Sequence, residues 1–192
     1  MMEGKGYRGR TEEDGKLRRA LVLVCALLLV GKSAMAAEAT WSSAEAEIRD
    51  AKGEIVGRAV FTPKPQGVAV SVEVSRLPPG LHGIHVHAVG KCDPPDFKTA
   101  GGHFNPGGKK HGLKSTEGAH AGDLPNLEVG PKRTGKLSAM LPDATLKYGD
   151  PASLLGAEGS SIVIHARTDD EKTDPSGDSG DRIACGVIIG KR

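Results

Sequence analysis

Gly83-Ile84-His85-Val86-His87 is the stretch on which the fold turns. A strand has a side-chain period of two, so His85 and His87 share one face. Ile84 and Val86 take the other face and can enter a core. Two imidazoles at neighbouring same-side positions on a stiff strand make half of a metal site. The alternative is a pair of histidines on an exposed strand face, and the spacing alone does not choose between the two.

Outward from that stretch the pattern is all-β. Val68, Val70, Val72 and Val74 alternate strictly, which marks Val68–Arg76 as a half-buried strand. Ala44–Asp50 and Gly53–Pro63 read as two strands joined tightly at Ala51-Lys52-Gly53. After the break Leu77-Pro78-Pro79-Gly80, the His-x-His strand runs from His82 to Val89. Leu124–Val129 and Thr134–Met140 flank the turn Gly130-Pro131. Ser161–Ala166 and Ile183–Ile189 complete eight strands, with a helical turn expected near Ala152–Leu155. Gly90–Asp123 and Thr168–Asp181 show no periodicity. Loops of that length inside a compact domain are functional, or are held by something other than a core. The expectation is an eight-stranded antiparallel Greek-key barrel or sandwich with two long functional loops.

Composition agrees. Glycine accounts for 27 of 192 residues, about twice the usual share of roughly 7%. Aromatic residues are only 3%, which argues against stacking on nucleic-acid bases. Residues 1–36 read as a secretory signal peptide, leaving 37–192 as the working domain. Lys16, Arg18 and Arg19 form the basic start, Ala20–Val30 an apolar run, and Ala34-Met35-Ala36 a small-residue cleavage site. That run is too short to span a bilayer, which needs about 20 residues. Cleavage would remove seven of the 26 basic and four of the 24 acidic residues, leaving 19 against 20. Such a near-neutral domain gives no argument for nucleic acid or anionic lipid as a partner. Cys25 goes with the leader. Cys92 and Cys185 remain in an oxidising setting, where an even pair is most simply a disulfide, two free buried thiols being the alternative.

The seven histidines are His82, His85, His87, His103, His111, His120 and His165. His103, His111 and His120 are spaced along the Gly-rich first loop, and Asp123 follows His120 by three. Such a loop cannot pack itself, and a bound metal would order it. Three imidazoles and one carboxylate form a closed set suited to zinc. His85, His87 and His165 remain, all on strands, for a second ion of copper or zinc type. His82 is read as a structural histidine.

Taken together, GIHVHAVG, AGGHFNPGGKKHG, HAGDLPN, VIHARTDD and DRIACGVI, in this order, resemble the copper/zinc superoxide dismutases in their exported bacterial form. The likeness covers nearly all of residues 42–190. It implies copper on His85, His87, His103 and His165, and zinc on His103, His111, His120 and Asp123, with His103 bridging the two ions. It implies that Asp169 hydrogen-bonds His85 and His111, that Arg182 receives the anionic substrate superoxide, and that Cys92 and Cys185 are the family's disulfide. The implied activity is dismutation of superoxide to oxygen and hydrogen peroxide, outside the cytoplasm in the periplasm or beyond. Copper would supply the redox step, since zinc does none. A homodimer is compatible with the resemblance, and no membrane partner is expected once the leader is removed.

Two features depart from the family pattern. Ala88 and Val89 stand where aromatic and acidic residues are common. The second long loop is acidic, with Asp169, Asp170, Glu171, Asp174, Asp178 and Asp181 against Arg167, Lys172 and Arg182. Strong positive steering is therefore not expected, unless Lys98, Lys109 and Lys110 compensate. The competing function is a non-catalytic metal-binding or copper-handling protein on the same fold, since fold alone does not give function. A complete copper ligand set together with Arg182 argues for the enzyme.

Overall fold

The computed structural model describes Met1 and residues 41–192. The leader expected over residues 1–36 lies outside the described residues, apart from Met1. Among the described residues there are ten strands: β1 Ser43–Asp50, β2 Ile55–Lys64, β3 Gly67–Ser75, β4 Gly80–His82, β5 Ile84–His87, β6 Leu127–Val129, β7 Thr134–Leu141, β8 Ser161–His165, β9 Arg182–Val187 and β10 Ile189–Lys191. They form one antiparallel sheet in the order β4-β6-β7-β3-β2-β1-β9-β8-β5, with β10 pairing on β1. β4 and β5 lie at opposite ends of that order yet are separated by Gly83 alone. The chain therefore nearly closes the barrel through its own backbone.

The eight expected strands are all found, two of them interrupted. The His-x-His strand divides at Gly83, whose N–H donates to Arg167 O at 2.8 Å and whose carbonyl accepts from His165 N–H at 2.8 Å. A Cβ there would lie 2.7 Å from the Ser179 Cβ. Only glycine lets the second long loop sit this close. The last strand divides at Ile188, which is buried and donates its N–H to Ser160 O at 3.0 Å. Around Ala152–Leu155 the chain makes hydrogen-bonded turns and no helix. Among the described residues, the helical structure is a single 3-10 turn at Lys98–Ala100.

Alternation sets the core. Val68, Val70, Val72 and Val74 on β3 face inward, as do Ala44, Ala46 and Ile48 on β1. In β5 all four residues are buried. Ile84 and Val86 enter the main core, each contributing about 1.5–3 kcal/mol of burial. His85 and His87, on the opposite face, are covered by the two loops.

Backbone pairing fixes how the first loop covers them. Val86 N–H donates to Gly122 O at 2.8 Å, Phe104 N–H donates to Val86 O at 2.8 Å, and Gly122 N–H donates to Phe104 O at 2.9 Å. Isolated bridges set His85 opposite Asp123 and His87 opposite His103. A Cβ on Gly122 would approach Val86 O to 2.4 Å, so this folding-back requires glycine. Phe97, Ala100, Val163 and Cys185 form a second, smaller apolar cluster under the first loop, with Cys92 packed against it.

Candidate metal centre

One donor atom from each of His85, His87, His103 and His165 lies within 4.8 Å of the others. These rings carry four buried nitrogens without a hydrogen-bond partner: His85 Nδ1, His87 Nε2, His103 Nε2 and His165 Nε2. In His103 the second nitrogen faces Asp123 of the neighbouring cluster; in the other three it is engaged with an oxygen outside both clusters. His85 Nε2 lies 2.6 Å from Asp169 Oδ2, His87 Nδ1 2.9 Å from Gly101 O, and His165 Nδ1 3.1 Å from Gly180 O. A neutral imidazole has one N–H. Donating it to oxygen turns the lone pair of the other nitrogen toward the cluster. Burial strips water from the imidazolium form and is the main cause of depressed pKa values: about 3 for His85, about 2 for His87 and about 4 for His165. The rings are therefore neutral at ordinary pH. Buried acceptors left unpaired cost about 1–3 kcal/mol each, and a cation among them removes that cost.

The second cluster is built on Asp123. Its Oδ1 lies 3.0 Å from His103 Nδ1, 3.2 Å from His111 Nδ1 and 3.4 Å from His120 Nδ1. His120 Nδ1 is 3.3 Å from His103 Nδ1. Ligands about 2.0–2.1 Å from a tetrahedral zinc are separated by about 3.3–3.4 Å, and these four separations lie close to that spacing. Asp123 Oδ2 accepts from Gly112 N–H at 2.8 Å and His120 N–H at 3.0 Å, which fixes the carboxylate. Burial would raise the Asp123 pKa, but His103 and His111 outweigh it and hold the carboxyl well below the usual range. Burial likewise lowers His111, yet Asp123 and Asp169 together raise it to about 9. The cluster thus presents a field that favours a cation. His85 also falls within 4.8 Å of His103, His111 and Asp123. Its Nε2 is occupied by Asp169 and its Nδ1 is one of the four unpartnered nitrogens, so His120 is the better fourth group here.

His103 is singular in this arrangement, its Nε2 belonging to the first cluster and its Nδ1 to the second. Every other ring turns one nitrogen toward its cluster and the other toward an oxygen, as metal-binding histidines ordinarily do. His111 Nε2 lies 3.0 Å from Asp169 Oδ1. His120 Nε2 faces Asp174 Oδ1 at 3.9 Å, beyond hydrogen-bond length. Asp169 therefore spans both clusters through His85 and His111.

Arg182, half-buried, donates from Nη1 to Phe97 O at 2.7 Å and from Nη2 to Gly101 O at 2.7 Å. It lines a cleft of about 500 Å³ with Pro95, Asp96, Lys98, Gly180 and Asp181. The Cys92–Cys185 disulfide is formed, with its Cα atoms 5.6 Å apart, and ties the first loop to β9. His82 is buried and belongs to neither cluster, its ring nitrogens 2.8 Å from the carbonyl oxygens of His165 and Pro78. Lys98, Lys109 and Lys110 are each set against a carboxylate: Asp96 at 2.9 Å, Asp143 at 2.7 Å and Asp174 at 3.5 Å.

Sequence reasoning missed Asn126, which brackets the Asp169 backbone, and Asp174, which accepts from His111 N–H at 2.9 Å. Neither has a spacing signal, because each partner lies more than 40 residues away.

Residues 55–188 match the family model for copper/zinc superoxide dismutase (SODC). The chain is 48% identical over 144 residues to superoxide dismutase [Cu-Zn] 1 of Aquifex aeolicus, covering 74% of this chain and 85% of that one. A SOD-like protein from Bacillus subtilis superposes with a TM-score of 0.71 at 39% identity, over 74% of this chain and 96% of its own. The Cu/Zn superoxide dismutase from Brucella abortus gives a TM-score of 0.60 at 30% identity, over 76% and 98%. Motif order, barrel and twin clusters all agree with these matches, and the chain belongs to the copper/zinc superoxide dismutase family.

Proposed function

We propose that the chain dismutates superoxide to oxygen and hydrogen peroxide, with copper held by His85, His87, His103 and His165 and zinc held by His103, His111, His120 and Asp123. The observation that carries this reading is His103, which offers one nitrogen to each of two adjacent buried donor clusters. Imidazole nitrogens suit copper, and three imidazoles with a carboxylate suit zinc. Copper bound there supplies one-electron exchange in both directions, while zinc supplies charge and order without redox chemistry.

The side chains supply the rest. Asp169 and the carbonyls of Gly101 and Gly180 orient the rings. His103 Nε2 is the atom that can hold a proton between half-reactions and pass it to the product. Arg182 binds the small anion beside the first cluster, since its guanidinium is always charged and two carbonyls fix its direction. The basic start, apolar run and small-residue cleavage site within residues 1–36 support export, with residues 37–192 acting in the periplasm or outside the cell.

The test is superoxide decay in the presence of purified protein reconstituted with both metals, beside the metal-free protein. Catalytic decay over many equivalents per chain, absent without metal, is the expected result. Uptake of a single equivalent would instead indicate a metal-binding protein without turnover.

A further inference from the structure

Asp169 reaches both clusters, so its own placement decides how they sit relative to each other. Its carboxylate is enclosed. Oδ2 lies against His85 Nε2, while Oδ1 faces His111 Nε2 and accepts from Glu171 N–H at 2.6 Å. A Cβ on Gly177 would lie 1.7 Å from Asp169 Oδ1, and one on Gly83 would lie 3.2 Å from the Asp169 Cβ. Among the described residues, Asn126 is the one side chain that hydrogen-bonds the Asp169 backbone. Asn126 Nδ2 donates to Asp169 O at 2.9 Å, and Asn126 Oδ1 accepts from Asp169 N–H at 2.8 Å. Asn126 stands three residues after Asp123, just before β6, whereas Asp169 stands four residues after His165.

We propose that Asn126 is a positioning residue of the metal centre. By clamping both backbone groups of Asp169 it sets the angle of His85 in the copper cluster and of His111 in the zinc cluster together. This rests on reading the two clusters as metal sites. Asparagine suits the task because one planar amide presents a donor and an acceptor side by side. Aspartate would set an oxygen against the Asp169 carbonyl. Alanine would leave a buried N–H and C=O unpaired, although Asp169 would keep its carboxylate.

The experiment is a double-mutant cycle on zinc affinity, measured by chelator competition on the folded chain, with Asn126→Ala and Asp169→Asn singly and together. The visible spectrum of Co2+ in the zinc site is the second readout. Each single change should weaken zinc about 10–100-fold, the usual range for partners that support metal ligands, and should alter the Co2+ spectrum. In the Asp169→Asn background, Asn126→Ala should add less than about twofold, because it acts through Asp169. Ser160→Ala, which removes the buried bond to Leu154 O, should lower stability without moving zinc affinity. Should Asn126→Ala fail to fold, Asn126→Asp takes its place in the cycle with the same expectation. Parental zinc affinity in a folded Asn126 variant, or losses that multiply with Asp169→Asn, would overturn the proposal. A parental chain that binds no zinc would overturn the metal reading itself, which the wild-type titration reports separately.

Discussion

Arg182 and His87 share one acceptor: the Gly101 carbonyl takes Arg182 Nη2 at 2.7 Å and His87 Nδ1 at 2.9 Å. Gly101 sits at φ 74°, where side chains are disfavoured, and a Cβ would press on Val89 at 3.0 Å. One carbonyl thus fixes a permanent cation at a set offset from a ring whose other nitrogen enters the first cluster.

Removing that cation should slow capture while leaving the metals bound. Two of the five guanidinium N–H donors are spent on carbonyls, leaving three for an anion. Arg182→Ala should lose roughly tenfold in second-order rate, and Arg182→Glu should lose more, with the copper spectrum unchanged. Loss of copper in these variants would make Arg182 a support for the Phe97–Gly101 segment instead.

Ionic strength should matter little. Lys98, Lys109 and Lys110 each face a carboxylate, and Lys114 pairs with Glu171 at 2.7 Å. Asp96 and Asp181 share the cleft with Arg182. The second-order rate should therefore fall less than about tenfold from low to physiological salt, at the weak end of steering effects. A fall of a hundredfold would show a positive funnel that these pairings do not provide.

Asp123→Ala should weaken zinc binding by more than about 100-fold, beyond the range for losing a ligand's supporting partner. It should also lower the thermal midpoint, because Asp123 Oδ2 secures the backbone of Gly112 and His120. The rate of fully metallated protein should fall less than its stability. Unchanged zinc affinity, read by chelator competition, would remove Asp123 from the site.

The disulfide closes a sequence separation of 93 residues. Cys92→Ser with Cys185→Ser should destabilise the domain by up to about 4–5 kcal/mol in the chain-entropy model, read by denaturant unfolding. Alkylation of the unreduced chain of residues 37–192, which holds Cys92 and Cys185 as its cysteines, should add no label, and two labels would show free thiols.

Much of this was legible in the residues because the information is local. The period of two in Ile84-His85-Val86-His87 separates core from site, and the valines of β3 declare their face without any partner. Other features depend on tertiary contacts. Gly83 looks like any strand glycine until the second loop arrives over it, so the split between β4 and β5 has no signature. The acceptors for Arg182, His87 and His165 are backbone carbonyls, which no residue type announces. Asn126 lies within a recognisable motif, yet its partner is 43 residues away.

The central claim is that His103 bridges two ions, and paramagnetic resonance of protein holding Cu2+ with Co2+ in place of zinc tests it most directly. Two paramagnetic ions joined through one imidazolate are exchange-coupled. With elemental analysis giving one copper and one cobalt per chain, the isolated Cu2+ signal should be lost and should return in His103→Ala that retains copper. A full-strength, uncoupled Cu2+ signal with both ions bound to the parental protein would contradict it.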